Sequence, residues 1–163
     1  MSLRIKSMSI LTIIAFAIAI SFLREPLYFL EPRVWAEEGV IYFQSVFSNG
    51  YTQSLILPHL GYYSFFNNYV ASLSLFLLGL DRVAFATTYS SFFVIILTVF
   101  APFILDSRYW DTLAKKILIF FFSLLIGPAE IWLNTINSQF YFGLFSCLLL
   151  LSESRNMSFL KGF

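Results

Sequence analysis

The sequence has few charged residues and one cysteine, and each scarcity excludes a class of protein. Charged residues make up 12% of the chain, whereas an ordinary soluble domain carries about 25%. A soluble domain of 163 residues needs a polar surface that 10 basic and 9 acidic side chains cannot supply, and the same scarcity excludes a disordered or nucleic-acid-binding protein. Because Cys147 is the single cysteine of the sequence, a disulfide framework and a cysteine-based metal site are excluded. With 59% hydrophobic and 20% aromatic residues, the composition predicts an integral membrane protein.

Charge-free runs of the sequence predict where the chain crosses the membrane. A spanning helix needs about 20 mostly apolar residues, because its backbone must satisfy its own hydrogen bonds. We predict an all-α fold of about four such helices in one membrane domain, residues 1–163, with spans near residues 8–23, 83–105, 117–133 and 140–151. Pro128 is expected to kink the third span. The loop 24–82 is predicted to lie outside the cytoplasm and to carry juxtamembrane helices.

The distribution of Lys and Arg decides between four and five spans. Residues 62–80 are apolar enough to form an additional span, but they can also form a helix in the outer interface. Lys and Arg near span ends collect on the cytoplasmic side. Five spans leave three of these residues inside, whereas four spans place seven inside, namely Arg4, Lys6, Arg108, Lys115, Lys116, Arg155 and Lys161. The four-span topology is therefore preferred, and its outer face is acidic.

The outer loop carries two adjacent acids, Glu37 and Glu38. The chain after Pro32 can form a short helix, which Asn49-Gly50 would end. Four residues of this helix share one face, which is typical of a helix lying on a membrane surface with its aromatic side down: Trp35, Gly39, Tyr42 and Phe43. Successive helical residues are about 100° apart, so only one of the two acids can face a given site. Solvated surface charges are the alternative interpretation of this pair.

The order of these features resembles the N-terminal part of the polyprenyl-phosphate-sugar-dependent membrane glycosyltransferases of the GT-C superfamily. The stretch 35–39, Trp-Ala-Glu-Glu-Gly, is similar to the acidic motif that this family carries after its first span. The stretch 59–63, His-Leu-Gly-Tyr-Tyr, stands where related enzymes have a polar segment before an apolar helix. The Glu-Glu pair departs from the commoner Asp or Asp-Glu, which leaves open which carboxylate acts. Because GT-C enzymes contain more spans than 163 residues can hold, we expect this chain to be an N-terminal part or a truncated copy.

The resemblance implies the transfer of a sugar from a polyprenyl-phosphate donor to a glycan or lipid acceptor, on the outer face of a bacterial inner membrane. Glu37 or Glu38 is then the base that removes the proton of the attacking hydroxyl. The leaving lipid phosphate needs a cation or a strong hydrogen-bond donor nearby. Arg33, Arg82 and His59 are the candidates for that role, and Trp35 and Tyr62 complete the substrate-binding residues predicted in the loop.

A second polar cluster interrupts the apolar hairpin of the last two predicted spans, and it consists of Glu130, Asn134, Asn137 and Gln139. Ionisable groups at membrane depth usually face a protein interior or a cavity. We therefore predict that these residues line a substrate pocket opposite the acidic pair. A polar cap on the hairpin is the alternative interpretation. The sequence requires no cofactor, although the resemblance leaves a divalent metal ion open.

A non-enzymatic membrane protein is the alternative function. A flippase subunit for lipid-linked sugars, or an accessory subunit of a larger complex, would suit a four-span chain of this length. In either case the expected partners are the lipid bilayer, a lipid-linked sugar and an acceptor or a second membrane protein, and not a nucleic acid.

Cysteine labelling tests the four-span topology. In a Cys147→Ser background, Lys115→Cys should react with a membrane-impermeant maleimide only after the cytoplasmic side is opened, because the prediction places Lys115 inside. Gln53→Cys, which both topologies place outside, is the positive control and should react in intact cells. Labelling of Lys115→Cys from the outside alone would contradict the four-span topology.

Overall fold

The computed structural model describes residues 3–59, 61–126 and 132–152, and for residues 3–10 it describes the backbone alone. Within these ranges the chain forms α-helices joined by turns and contains no β-strand, which confirms the predicted all-α class. The α-helices are α1 (Leu3–Arg24), α2 (Pro26–Leu30), α3 (Gln44–Asn49), α4 (Tyr51–Ser54), α5 (Phe65–Leu78), α6 (Val83–Ile104), α7 (Leu113–Leu125) and α8 (Ser138–Leu150).

Helix α6 lies at the centre of the fold, with α1, α2, α5, α7 and α8 packed against it. Its 22 residues contain no charge, and the side chains of Val94, Ile95 and Val99 are at most 3% exposed. These side chains form one core cluster with Leu124 of α7 and Tyr141 of α8. The cleanest charge-free run of the sequence, residues 83–105, therefore contains the helix around which the other helices are arranged.

Two long-range hydrogen bonds show which helix ends lie together. Just after α6, the Ser107 hydroxyl donates to the carbonyl of Leu151, just after α8, at 2.7 Å. At the end of α1, the Arg24 guanidinium donates to the carbonyl of Leu124, near the end of α7, at 3.0 Å. Because α7 starts shortly after the end of α6, the first bond marks one end of the bundle and the second marks the other.

The segment between α1 and α6 folds onto the side of α6 as a series of short elements. A π-helical turn, Glu38–Phe43, runs directly into α3, which ends at Gly50 in the left-handed conformation with φ +81°. The helix end predicted at Asn49-Gly50 is thus confirmed. Gly79, with φ +73°, ends α5 in the same way and leads through a 3-10 turn, Leu80–Arg82, into α6.

The aromatic face of the 38–49 segment packs inside the protein. Tyr42 and Phe43 are 3% and 4% exposed, and they belong to one apolar cluster with Ala71 and Leu75 of α5. The prediction that this face lies on a membrane surface is therefore wrong for Tyr42 and Phe43. Helical spacing identified the shared face, but it could not show that α5 covers it.

Several helices bury small polar side chains and expose large apolar ones. In α5, Phe65, Tyr69 and Phe76 are exposed, whereas the buried side chains include Asn67, Asn68, Ser72 and Ser74. Helix α6 follows the same arrangement, with Phe85 and Phe93 exposed and Thr87, Thr88, Ser91 and Thr98 buried. Two of these hydroxyls bond to carbonyls of their own helix, Ser91 to Thr87 at 2.7 Å and Thr98 to Val94 at 2.9 Å. Such hydroxyls can be buried without leaving a polar atom unsatisfied.

Among the described residues, Leu80–Ile104 is the one helix that is long and apolar enough to cross a membrane. Three further helices are apolar but shorter: Leu11–Arg24, Phe65–Leu78 and Ser138–Leu150. Helix α7 ends at Leu125, well before the predicted end of the third span at Leu133, because Ile126 is extended and Gly127-Pro128 follow it in the sequence. Pro128 lies outside the described residues, so the kink predicted there and the four-span topology stay predictions.

A matched pair of leucines tests the described packing of α7. Leu124 is 0% exposed in the core cluster, whereas its neighbour Leu125 is 51% exposed. Leu124→Ala should lower the free energy of unfolding by about 2–5 kcal/mol, because it leaves a cavity. Leu125→Ala should change it by about 0.5 kcal/mol or less. Denaturant titrations of both variants in the same detergent measure the difference, and equal losses would contradict the described register of α7.

Candidate functional site

The acidic pair stands at the start of the helical segment that includes the π-helical turn. The backbone N–H of Trp35 donates to Oε2 of Glu38 at 3.1 Å, and the carbonyl of Trp35 accepts the first helical bond from Gly39 at 3.0 Å. Glu38 thus occupies the third helical position and reaches back to the N–H of the residue that precedes the helix. This contact is half of a capping box, and a carboxylate there also suits the positive end of the helix dipole.

The second oxygen of Glu38 makes a contact far along the sequence. Its Oε1 accepts hydrogen bonds from both the backbone N–H and the hydroxyl of Thr135, each at 2.7 Å. The Glu38 side chain is 1% exposed, and burial raises the pKa of this carboxyl although the bonds from Thr135 and Trp35 act to lower it. Glu38 therefore anchors the acidic loop to the segment that leads into α8.

Glu37 lies on the other side of the same turn and is exposed. The two neighbouring acids therefore have different surroundings, as the 100° spacing of helical residues predicts. The charge of Glu37 contributes to a raised pKa of the Tyr62 phenol, after the larger effects of the Tyr42 hydroxyl and of burial. Glu37 thus lies within electrostatic range of Tyr62, although 25 residues separate the two in the sequence.

A tight turn holds His59 and Tyr62 side by side. The N–H of His59 donates to the carbonyl of Tyr62 at 2.9 Å, and the N–H of Tyr62 donates to the carbonyl of His59 at 3.0 Å. Gly61 has φ +84°, a conformation that glycine adopts without strain. The imidazole of His59 stands edge-on to the ring of Tyr42, with the ring centroids 5.0 Å apart. Tyr42, His59 and Tyr62 together form the feature that we call the loop cluster.

The second predicted cluster is largely occupied with forming the start of α8. The Asn134 side chain, 2% exposed, accepts a hydrogen bond from the N–H of Asn137 at 2.8 Å, and the Asn134 carbonyl accepts one from the Ser138 hydroxyl at 3.0 Å. Asn137 is partly buried and Gln139 is exposed on the first turn of α8, whereas Glu130 lies outside the described residues. Leu133 has φ +56°, a strained conformation for a residue other than glycine. Thr135, which the sequence reasoning did not select, is the residue of this segment that meets the acidic pair.

The predicted phosphate-binding arginines lie in different parts of the segment. The Arg33 guanidinium carbon is 5.0 Å from the ring centroid of Tyr28 and 4.9 Å from that of Trp35, and its nitrogen donates to the Tyr28 hydroxyl at 2.8 Å. Trp35 thus contributes both its ring and its backbone N–H to this loop. Arg82 is exposed at the start of α6. The structure therefore holds Arg33 two residues from the acidic loop helix and places Arg82 at the junction of α5 and α6.

Two residues of this site were not predicted as site residues: Tyr42, which the sequence placed only on an aromatic helix face, and Thr135. Tyr42 and Thr135 are an aromatic residue and a small polar residue in a chain rich in both, and their importance comes from contacts with distant residues. In the part of the chain that the structure describes, no group of three or more His, Cys, Asp and Glu side chains is placed to hold a metal ion. No protein-family model, curated protein or solved structure matches the chain.

The pH dependence of stability tests the anchoring role of Glu38. Because the folded state raises the pKa of Glu38 above its ordinary value of 4.5, the folded chain binds more protons than the unfolded chain at pH values just above 4.5. The free energy of unfolding contributed by this group therefore falls as the pH rises through that window. Glu38→Gln removes the titration, so the stability of the wild type relative to this variant should decrease with rising pH.

Glu31→Gln is the matched control, because Glu31 is an exposed acid of the same loop. Its stability relative to the wild type should change little across the same pH range. Thermal unfolding of the three proteins between pH 4 and pH 8 makes the comparison (roughly the range in which a carboxyl with a raised pKa titrates). Parallel profiles for the wild type and Glu38→Gln would contradict a buried, titrating Glu38.

Proposed function

We propose that this chain is an integral membrane protein, all or part of a GT-C-like glycosyltransferase, and that Glu37 is its catalytic base. The observation that carries the proposal is the division of the acidic pair: Glu38 is buried with three hydrogen bonds, whereas Glu37 is exposed beside the loop cluster. A base must exchange protons with its substrate, so the exposed carboxylate suits that role and the anchored one does not.

The arrangement of polar and apolar side chains supports the membrane part of the proposal. Large exposed apolar residues such as Phe76 and Phe93 suit lipid, while the small hydroxyls of Ser91 and Thr98 bond to their own helix inside the fold. A bilayer accepts such an apolar exterior, whereas water would not. The antiparallel order of α6, α7 and α8 is also the order that the four-span topology requires.

In the proposed reaction, Glu37 removes the proton of the acceptor hydroxyl. The oxygen of that hydroxyl attacks the anomeric carbon of the lipid-linked sugar at the same time. The bond from that carbon to the phosphate oxygen breaks, and the lipid phosphate leaves with the electron pair. Attack opposite the leaving group inverts the configuration at the anomeric carbon. Glu37 then returns its proton to water, so the carboxylate is regenerated.

Arg33 suits the leaving phosphate in this proposal. The rings of Tyr28 and Trp35 hold the guanidinium at the start of the acidic loop, and one of its N–H groups bonds to Tyr28. A guanidinium has five N–H donors, so others can contact a phosphate. The proposal thus places the cation and the base on the same short segment of the chain.

Glu37→Gln tests the assignment of the base. The substitution keeps the size of the side chain but removes its ability to accept a proton, so turnover should fall about 10²–10⁴-fold. The assay follows the conversion of polyprenyl-phosphate sugars to polyprenyl phosphate by mass spectrometry, with the purified chain in liposomes made from the lipids and acceptors of the source membranes. This readout does not require the sugar to be known in advance.

Two variants control this experiment. Glu31→Gln changes an exposed acid of the same loop and should leave turnover unchanged. Thr135→Val removes one hydrogen bond to Glu38 and should lower thermal stability more than it lowers the rate per folded molecule. Wild-type turnover in Glu37→Gln would remove Glu37 as the base, and no turnover in the wild type would favour the non-enzymatic alternative.

A further inference from the structure

A crevice of about 480 Å³ opens on the surface of the bundle between α1, α6 and α7. Its walls are aliphatic and aromatic apart from Thr12, and they include Ile13, Phe16, Phe103, Leu113, Ile117 and Phe120. Leu113, Phe16 and Ile117 are themselves exposed, so the crevice is open to whatever surrounds the protein. In the proposed membrane setting, the surroundings of this crevice are lipid.

The crevice lies toward the end of the bundle at which α6 ends and α7 begins. Phe103 is the last residue but one of α6, and Leu113 is the first residue of α7. Helix α1 runs along the other side, where the rings of Phe16 and Phe121 stand edge-on with centroids 6.2 Å apart. The four-span prediction places this end on the cytoplasmic side, so the crevice faces the inner half of the bilayer.

Lys116 adjoins the crevice on the face of α7 that lines it. Residues three and four apart are neighbours on a helix surface, and Lys116 stands three residues after Leu113 and four before Phe120. Lys116 is partly buried, as expected for a lysine whose methylene groups lie along apolar side chains while its ammonium group points outward. A cation therefore stands at the edge of an apolar crevice.

The neighbouring lysine has an acidic partner that Lys116 lacks. Nζ of Lys115 lies 2.7 Å from Oδ1 of Asp111. Among the described side chains, no acid lies within ion-pair distance of Lys116, and this includes Asp106, the other acid near this end. Both lysines stand in the first turn of α7, at the positive end of the helix dipole, where a cation is disfavoured. An anion beside Lys116 would offset both charges.

The chemistry of this region selects a lipid with a negative headgroup. A phosphodiester carries the charge that Lys116 lacks as a partner, and an acyl chain matches the apolar walls of the crevice. A soluble anion would leave the crevice unfilled. An uncharged lipid would leave Lys116 without a counter-charge. One molecule that carries both chemical groups satisfies the cation and the crevice together.

We propose that the crevice and Lys116 form a binding site for an anionic phospholipid. One acyl chain lies between α1 and α7, and the headgroup phosphate contacts the ammonium group of Lys116. The site rests on the membrane part of the proposed function and not on the catalytic part. Glu38 meets the segment before α8, at the other end of the bundle, so the acidic pair takes no part in it.

Lipid binding to the full purified chain in detergent tests this site. Native mass spectrometry counts the bound lipids during titration with dioleoyl phosphatidylglycerol, which is anionic, or with dioleoyl phosphatidylcholine, which has the same chains and no net charge. The wild type should bind phosphatidylglycerol with a Kd about fivefold lower, the factor expected from one lysine at an anionic headgroup. Equal Kd values for the two lipids would overturn the site.

Lys116→Gln and Lys115→Gln form a matched pair of variants. Each removes one positive charge from the first turn of α7, but Lys115 already has Asp111 as its partner. Lys116→Gln should raise the phosphatidylglycerol Kd about fivefold and leave the phosphatidylcholine Kd unchanged. Lys115→Gln should leave both unchanged. Equal effects of the two variants would indicate a general attraction of anionic lipid to a basic surface, and they would overturn the site.

Ile117→Trp and Leu118→Trp test the crevice separately from the charge. Ile117 lines the crevice, whereas Leu118 is 70% exposed and is not part of its walls. An indole at position 117 fills part of the space, so both lipids should bind about fivefold more weakly, which corresponds to about five to ten lost van der Waals contacts. Leu118→Trp should bind both lipids as the wild type does. Unchanged binding in a folded Ile117→Trp would overturn the site, and Lys116→Gln decides the outcome if Ile117→Trp does not fold.

The lipid site and the proposed catalysis can fail separately. The titration needs no sugar donor, and Glu37→Gln should bind phosphatidylglycerol with the Kd of the wild type. A wild type that prefers phosphatidylglycerol but catalyses no transfer would remove the enzyme and keep the site. Release of the chain from membranes by alkaline carbonate would instead remove the membrane part of the proposed function, and the lipid site with it.

Discussion

The carboxylate of Glu38 is the contact on which the arrangement of the segment between α1 and α6 depends. One of its oxygens caps the helical segment through Trp35, and the other accepts two bonds from Thr135, 97 residues away. Without this contact, three donors would lose their acceptor in a region closed to water. The same contact sets the rotation of the turn, and through it the direction of Glu37 and the burial of Tyr42. A buried acid thus positions an exposed one.

The packing of the helices holds both sides of this contact in place. Helix α6 packs against α5, α7 and α8, and the turn that carries Glu38 packs against α5, so α5 connects this turn to the helix that also holds α8. The burial of small hydroxyls rather than charges lets these helices pack closely while their backbone bonds stay intact. Within the described ranges, Leu133 is the residue other than glycine that has a positive φ, and it lies two residues before Thr135, which meets Glu38.

The sequence predicted those features of the fold that depend on residues close together along the chain. The charge-free run that becomes α6, the helix end at Asn49-Gly50 and the opposite orientations of Glu37 and Glu38 all follow from local spacing. It could not predict which surface covers the aromatic face of Tyr42, because an apolar stripe fits a membrane and a neighbouring helix equally well. Nor could it select Thr135, since a contact across 97 residues has no periodicity to reveal it.

One carboxylate could not fill both the anchoring role of Glu38 and the base role that we propose for Glu37. An anchor works because its lone pairs are occupied and its surroundings are closed, and those same conditions prevent it from approaching a substrate hydroxyl. A base needs open lone pairs and access to water to release its proton. Adjacent positions on a helix give two carboxylates one backbone but different surroundings. The hydrogen bonds that fix Glu38 therefore also fix the backbone that carries Glu37. On this argument the Glu-Glu pair has a physical reason, and the two acids are not interchangeable.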